Sequence, residues 1–183
     1  MIPKTFEVNV RHPLRKLLQA PSLRTVADNN QAKIVVMQIS DFLSPDDVLL
    51  KIRAADKEQL LQELAHLAAE KLKLPEENVV SELLKREGLG STGMGNGVAI
   101  PHARFAAIAR PFGMIARLKQ PIDFDAIDGL PVDIVFLLLL PAAATGEQLG
   151  ALACVSRKLR VPEDLLRLRR AKKASELYAA LRD

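Results

Sequence analysis

The sequence predicts an α/β fold, on three observations. Apolar residues recur at helical spacing from Asp56 to Gly88, two short apolar runs bounded by prolines follow, and helical spacing then resumes to the C-terminus. Helices and strands therefore alternate along the chain. Its 183 residues fit one domain with some appendage, and an apolar share of 49% is enough for a buried core despite only seven aromatic side chains, six Phe and one Tyr.

Each element has its own signal. Residues 1–33 carry a loose apolar row (Leu14, Leu17, Leu18, Leu23, Val26) with a short helix expected over Pro13 to Gln19, and the polar run Asp28 to Gln31 reads as a linker. This part is an N-terminal extension, and residues 34–183 form the domain. Ile34 to Met37 is a short strand or a loop. Ser44-Pro45-Asp46-Asp47 has turn chemistry ahead of a strand at Val48 to Ile52. Asp56 is placed to cap a helix whose Leu60, Leu61, Leu64, Leu67, Ala68 and Leu72 share one face. Pro75 closes it and opens another, with Val79, Val80, Leu83 and Leu84 facing inward until Gly88. Val98 to Ile100 is strand-like, and Phe112 to Leu118 and Ile134 to Leu140 read as strands buried on at least one face. Helices are then expected from Thr145, from Pro162 and from Ser175.

Charge is unevenly spread. Residues 1–33 hold six Lys/Arg against two Asp/Glu, residues 34–156 hold eleven against sixteen, and residues 157–183 hold nine against four. Basic ends without accompanying aromatics or a recognition motif read as solvated helix faces, so nucleic acid is disfavoured as a partner. Cys154 is the only cysteine, which excludes an internal disulfide and a multi-thiolate metal site, and it reads as a small core hydrophobe. Three scattered histidines argue against a metal centre; His66 reads as a surface or boundary residue, and His12 falls in the extension. The run Ile134 to Leu140 is far too short to cross a bilayer, and the N-terminus lacks a signal-peptide core, so the cytoplasm is the expected compartment.

The chemistry concentrates between Arg86 and His102. Gly88 to Gly93 matches a dinucleotide fingerprint in form only, because a helix precedes it and a strand follows, the reverse of what that fingerprint needs; a Walker A loop is also absent. Yet Gly93, Gly95 and Gly97 alternate, Ser91 and Thr92 carry hydroxyls, Arg86 offers a planar donor fork, and Pro101 stiffens the backbone before His102. A phosphate cradle is expected there, with Ser91, Thr92 and the amides of Gly93 and Gly95 as donors. His102 is the candidate nucleophile, beside the plainer reading of a capping or packing residue: an imidazole with an ordinary pKa of about 6.5 is mostly neutral at neutral pH, so one nitrogen keeps a lone pair while the other fixes the tautomer. Phosphoryl transfer to it needs positioning and charge stabilisation. No cofactor is called for.

The run Gly90-Ser91-Thr92-Gly93-Met94-Gly95-Asn96-Gly97-Val98-Ala99-Ile100-Pro101-His102, with Arg86-Glu87 before it, resembles the active-site signature of type-2 (fructose/mannitol-like) enzyme IIA domains of the phosphotransferase system. The similarity continues through Pro121 to Gly129, Pro131-Val132-Asp133, Leu140-Pro141 and Glu176-Leu177-Tyr178, and covers roughly Ile39 to Asp183. The nitrogen-regulatory branch fits best, since no fused IIB, IIC or HPr-like domain accompanies it.

This resemblance implies a central mixed β-sheet flanked by helices on both faces. It also implies a phosphocarrier in which His102 accepts a phosphoryl group from an HPr-like or NPr-like phosphohistidine protein, with Arg86 stabilising the phosphate. Nitrogen-regulatory members use their phosphorylation state to alter contacts with regulatory targets, such as regulators of potassium transport. Family members usually place a second active-site histidine in a Thr-x-x-His-Leu context, where Gln148 stands in Thr145-Gly146-Glu147-Gln148-Leu149. Glutamine still donates a hydrogen bond and joins the phosphate-binding set, but it carries no proton or charge, so slower transfer is expected. Two other readings keep the fold: a protein-binding module with impaired transfer, and a free-standing sugar-transport IIA that donates to a IIB cysteine.

Overall fold

The apolar run at Ile134 to Leu140 becomes the spine of a sheet. In a computed structural model that describes residues 37–143 and 147–182, with the side chains of 147 and 148 outside the description, this run lies within β6 (Val132–Pro141). Period-two alternation sends its side chains to two faces. Val135, Leu137 and Leu139 enter a core with Leu60, Leu64 and Leu83, while Ile134, Phe136, Leu138 and Leu140 enter another with Val155, Leu165 and Leu177. Burial on both faces explains why the run is continuously apolar, and each such side chain contributes about 1.5 to 3 kcal/mol.

The remaining strands are β1 (Leu43–Ile52), β2 (Gly93–Gly95), β3 (Val98–Ala99), β4 (His102–Phe105) and β5 (Phe112–Ile122). They run in the order β1-β5-β6-β3-β2, with β4 also paired to β6. β5 is antiparallel to β6, whereas β1 with β5, and β3 and β4 with β6, are parallel, which makes the sheet mixed. Helices α1 (Lys57–Leu72) and α2 (Glu76–Gly88) cover one face; α3 (Glu147–Lys158), α4 (Pro162–Arg170) and α5 (Ala174–Arg182) cover the other. The expected α/β fold, with helices on both faces of a mixed sheet, is the observed one.

Local chemistry sets the helix ends. The Asp56 carboxylate accepts the amide of Gln59 at 2.8 Å and caps α1, and Lys73 at φ 58° ends that helix in the left-handed region. Pro75 is the cap residue of α2, and Pro162 is the first residue of α4.

Several boundaries differ from the expectation. Ser44 to Asp47, read as a turn, lies inside β1, where the pairing with β5 is irregular between Leu43 and Val48; β1 is an edge strand, so Pro45 removes no interior ladder bond. Pro121 falls inside β5, again at an irregularity in the ladder. The glycine-rich stretch contains a strand: β2 and β3 form a hairpin whose Asn96 and Gly97 have φ of 54° and 76°, the double left-handed turn that Asn-Gly favours. β4 begins at His102, so this residue starts a strand and does not merely follow one. β3 and β4 keep one register against β6, Val98 opposite Ile134 and His102 opposite Leu138, and are separated at Pro101, which has no N–H to give. α5 starts at Ala174, one residue ahead of the expected cap Ser175. The expected helix over Pro13 to Gln19, residues Ile34 to Val36, His12 and the start of α3 at Thr145 lie outside the described residues.

Candidate active site

Two elements bring the key residues together. Arg86 belongs to the last turn of α2, His102 opens β4, and the two elements pack against each other. Nδ1 of His102 lies 2.9 Å from the carbonyl oxygen of Ile100. A carbonyl only accepts, so Nδ1 carries the proton and Nε2 keeps the lone pair. Nε2 faces Arg86, whose Nε donates to it at 3.2 Å while Nη1 donates to the carbonyl of Gly90 at 2.9 Å. Burial is the largest influence on the half-buried imidazole and holds its pKa below the ordinary 6.5; Arg86 and Arg104 push the same way, against the Ile100 hydrogen bond and Glu87. The ring is kept neutral and nucleophilic.

His102 and Arg86 line a hollow of about 290 Å³. Its basic side is Lys85, Arg86 and Arg104, opposed by Glu82, and its apolar side includes Leu89, Leu140, Leu149 and Leu152. Leu89 and Leu149 are exposed. The rim of the hollow is thus locally basic, although residues 34–156 as a whole are acidic.

The other expected phosphate donors are differently engaged. Ser91 Oγ donates to the carbonyl of Phe124 at 2.8 Å and accepts the Gly93 amide at 3.1 Å. Thr92 gives both its amide and its hydroxyl to the carboxylate of Glu87, the hydroxyl at 2.6 Å. Gly93 packs so closely on Ala126 that a Cβ would lie 2.7 Å from its Cα, and a Cβ on Gly95, at φ 90°, would lie 3.0 Å from Asp128. The Asn96 amide is bound by that same Asp128 carboxylate at 2.7 Å. The anions that this glycine-rich stretch binds are therefore the chain's own carboxylates, and Ser91, Thr92, Gly93 and Gly95 do not line the hollow beside His102. Gln148 belongs to α3, whose Leu149 and Leu152 do line it; its side chain lies outside the described residues.

Glu87 carries a role that its motif position alone did not reveal. It is buried, accepts two bonds from Thr92, and pairs with Lys57 at 3.4 Å, which in turn pairs with Asp125. Thr92 then accepts the Ile100 amide at 3.0 Å, and the Ile100 carbonyl holds His102. The sequence did carry a signal: Val79, Leu83 and Glu87 fall on one stripe of α2, so an acid occupies an apolar face. Arg104 likewise follows His102 by two residues on a strand and so shares its face.

Elsewhere, His66 is exposed and pairs with Glu76 at 2.8 Å, which raises its pKa. Cys154 is only half-buried, and burial raises its thiol pKa. No helix among the described residues is long and apolar enough to cross a membrane.

Comparison with known proteins agrees with this architecture. The family model described as "Phosphoenolpyruvate-dependent sugar phosphotransferase system, EIIA 2" matches residues 41–183. A nitrogen regulatory protein of Bradyrhizobium diazoefficiens is 44% identical over 145 residues, covering 79% of this chain and 95% of the relative. One from Escherichia coli K12 is 38% identical over 148 residues, covering 80% and 91%. The crystal structure of nitrogen regulatory protein IIA-Ntr from Neisseria meningitidis superposes with a TM-score of 0.74 at 36% identity, over 78% of this chain and 98% of that one. The chain belongs to the EIIA 2 family of the phosphotransferase system, among relatives of the nitrogen regulatory kind.

Proposed function

We propose that this protein is a phosphocarrier whose His102 accepts a phosphoryl group from an HPr-like or NPr-like phosphohistidine protein, and that its phosphorylation state regulates partner proteins. The carrying observation is the pair of contacts on one imidazole: Nδ1–H held by the Ile100 carbonyl, and Nε2 presented beside Arg86 at the wall of a hollow.

The step balances without a metal or an external base. The donor's phosphorus–nitrogen bond breaks as a bond from phosphorus to Nε2 of His102 forms, and the donor nitrogen recovers its lone pair. Nδ1 keeps its proton throughout. Arg86 turns its Nε from Nε2 to the incoming oxygens, anchored meanwhile by Nη1 on Gly90, and offsets their charge in a partly desolvated site. Glu87 and Thr92 act one layer back, fixing the segment that carries the Ile100 carbonyl.

The phosphoryl group adds about −1.5 to −2 charges. With Lys85, Arg86 and Arg104 opposed by Glu82, it converts a basic hollow into a nearly neutral one. An acidic partner surface bound by the free form is thereby released, and the exposed Leu89 and Leu149 supply contact area in both states. The names of the nitrogen regulatory relatives suggest partners in nitrogen regulation, and the motif resemblance extends the proposal to regulators of potassium transport.

Incubation with phosphoenolpyruvate, an enzyme I and an HPr-like carrier tests the reading. An acid-labile, base-stable label on the wild type, absent from His102→Ala, is expected; no label, or one that survives in the variant, rejects it. Gln148 favours the second reading, a binding module with impaired transfer, which predicts partner binding that is indifferent to the phosphorylating system.

A further inference from the structure

We propose that a second, basic hollow on this domain binds a small polyanion carrying two or more phosphate groups. The hollow measures about 640 Å³, and five cationic side chains line it, Lys51, Arg53, Arg117, Lys119 and Arg169, with Asp133 as the one carboxylate. Arg53 and Lys119 also line an adjoining hollow of about 420 Å³.

Two of the five cations are fixed. Arg117 Nη1 donates to the carbonyls of Arg169 at 2.6 Å and Ala171 at 2.5 Å, closing the end of α4. Arg169 holds Asp133 through Nε at 2.8 Å and Nη2 at 2.7 Å, and Nη2 also reaches the Asn96 carbonyl. These contacts account for both arginines structurally and leave Nε and Nη2 of Arg117, and Nη1 of Arg169, without a partner among the described residues. They present preset donors of the geometry that phosphate oxygens accept.

The other three have no such account. Lys51, Arg53 and Lys119 are exposed and form no ion pair among the described residues, yet they gather in one hollow within a segment where acids outnumber bases. Gathering like charges raises the energy of the unliganded protein. Lys51 also sits at φ 62°, at an irregularity of the β1 ladder. A lysine in the left-handed region costs about 1 kcal/mol or more, and such strain concentrates at functional positions.

The shape selects the ligand. The hollow has the size of a small-molecule site, and no aromatic side chain lines it for base stacking, so a compact polyphosphate fits better than a nucleic acid strand. It shares no lining residue with the hollow of His102. Arg117 pairs with Ile134 and His102 with Leu138, so the two sites stand about 13 Å apart along β6.

The test is a titration of the full chain with inorganic triphosphate and with orthophosphate, at constant ionic strength, followed by amide NMR and calorimetry. Saturable binding is expected, at least about tenfold tighter for triphosphate, with the largest shifts at Lys51, Arg53 and Lys119. The variant combining Lys51→Asn, Arg53→Gln and Lys119→Gln, exposed positions where asparagine tolerates the left-handed backbone, should keep the native circular dichroism and lose at least about tenfold in affinity. Any of five results overturns the proposal: no saturable binding of triphosphate, equal shifts from sodium chloride, shifts centred on Arg86 and His102, unchanged affinity in the triple variant, or tighter binding of a polyglutamate peptide than of triphosphate.

Discussion

The guanidinium of Arg86 donates to Nε2 of His102 at 3.2 Å and to the Gly90 carbonyl at 2.9 Å, so one side chain ties the end of α2 to the first residue of β4. Because the proposed transfer sets that arginine against the arriving phosphate, Arg86→Gln should slow labelling of His102 about 100-fold while the fold persists. Initial rates with a phosphorylated HPr-like donor, alongside circular dichroism, check this. A loss under threefold would mean that Arg86 only packs against the ring.

The two described histidines should titrate on opposite sides of 6.5. Burial, with Arg86 and Arg104, holds His102 below that value, while the hydrogen bond to Glu76 lifts exposed His66 above it. For His102, the unfolded ring binds more proton than the folded one below about pH 6.5, so its contribution lowers stability as pH falls through 6.5 toward the folded value and is constant above. Transfer should correspondingly be flat with pH around neutrality and fall only in acid. Ring-proton NMR across pH, with His66→Gln and His102→Gln for assignment, measures both.

Glu87→Ala should be among the more damaging single changes outside the apolar core. It leaves the buried amide and hydroxyl of Thr92 without their acceptor and the Lys57 ammonium with Asp125 alone, a loss of about 2 to 4 kcal/mol by denaturant unfolding. Phosphorylation should slow too, through the Thr92 to Ile100 to His102 connection. Glu87→Gln, which keeps one acceptor, should lose less on both measures.

Two glycines should respond oppositely to alanine. Gly97 turns the β2-β3 hairpin at φ 76°, where a Cβ would collide with Arg169 and Asp133, so Gly97→Ala should cost roughly 1 to 3 kcal/mol. Gly88, in the last turn of α2, has open space around it, and Gly88→Ala should stabilise by about 0.5 to 1 kcal/mol. Thermal unfolding of both variants distinguishes a required conformation from a dispensable one.

Gln148→His should raise the phosphorylation rate of His102, because it adds a titratable cation to a position that now holds a neutral amide. An equal rate in the two proteins would remove Gln148 from the account of transfer.

Local rules were legible wherever neighbours in sequence decide the outcome. The cap at Asp56, the entries of α2 and α4 at Pro75 and Pro162, the helical stripes and the twice-buried strand β6 all follow from side-chain period and from the conformations proline and aspartate favour. The Arg86 to His102 site was legible through the resemblance of its motif to the enzyme IIA signature, and the two residues do meet. What the sequence could not decide was the occupancy of each polar group, because hydrogen-bond partners come from distant segments. A loop that looked like an open phosphate cradle is filled by Glu87, Phe124 and Asp128, and only the folded sheet brings those groups to it. The same holds for charge: an acidic segment yields a basic hollow at His102 and a second one at Lys51, since folding sorts side chains by position in space and not along the chain.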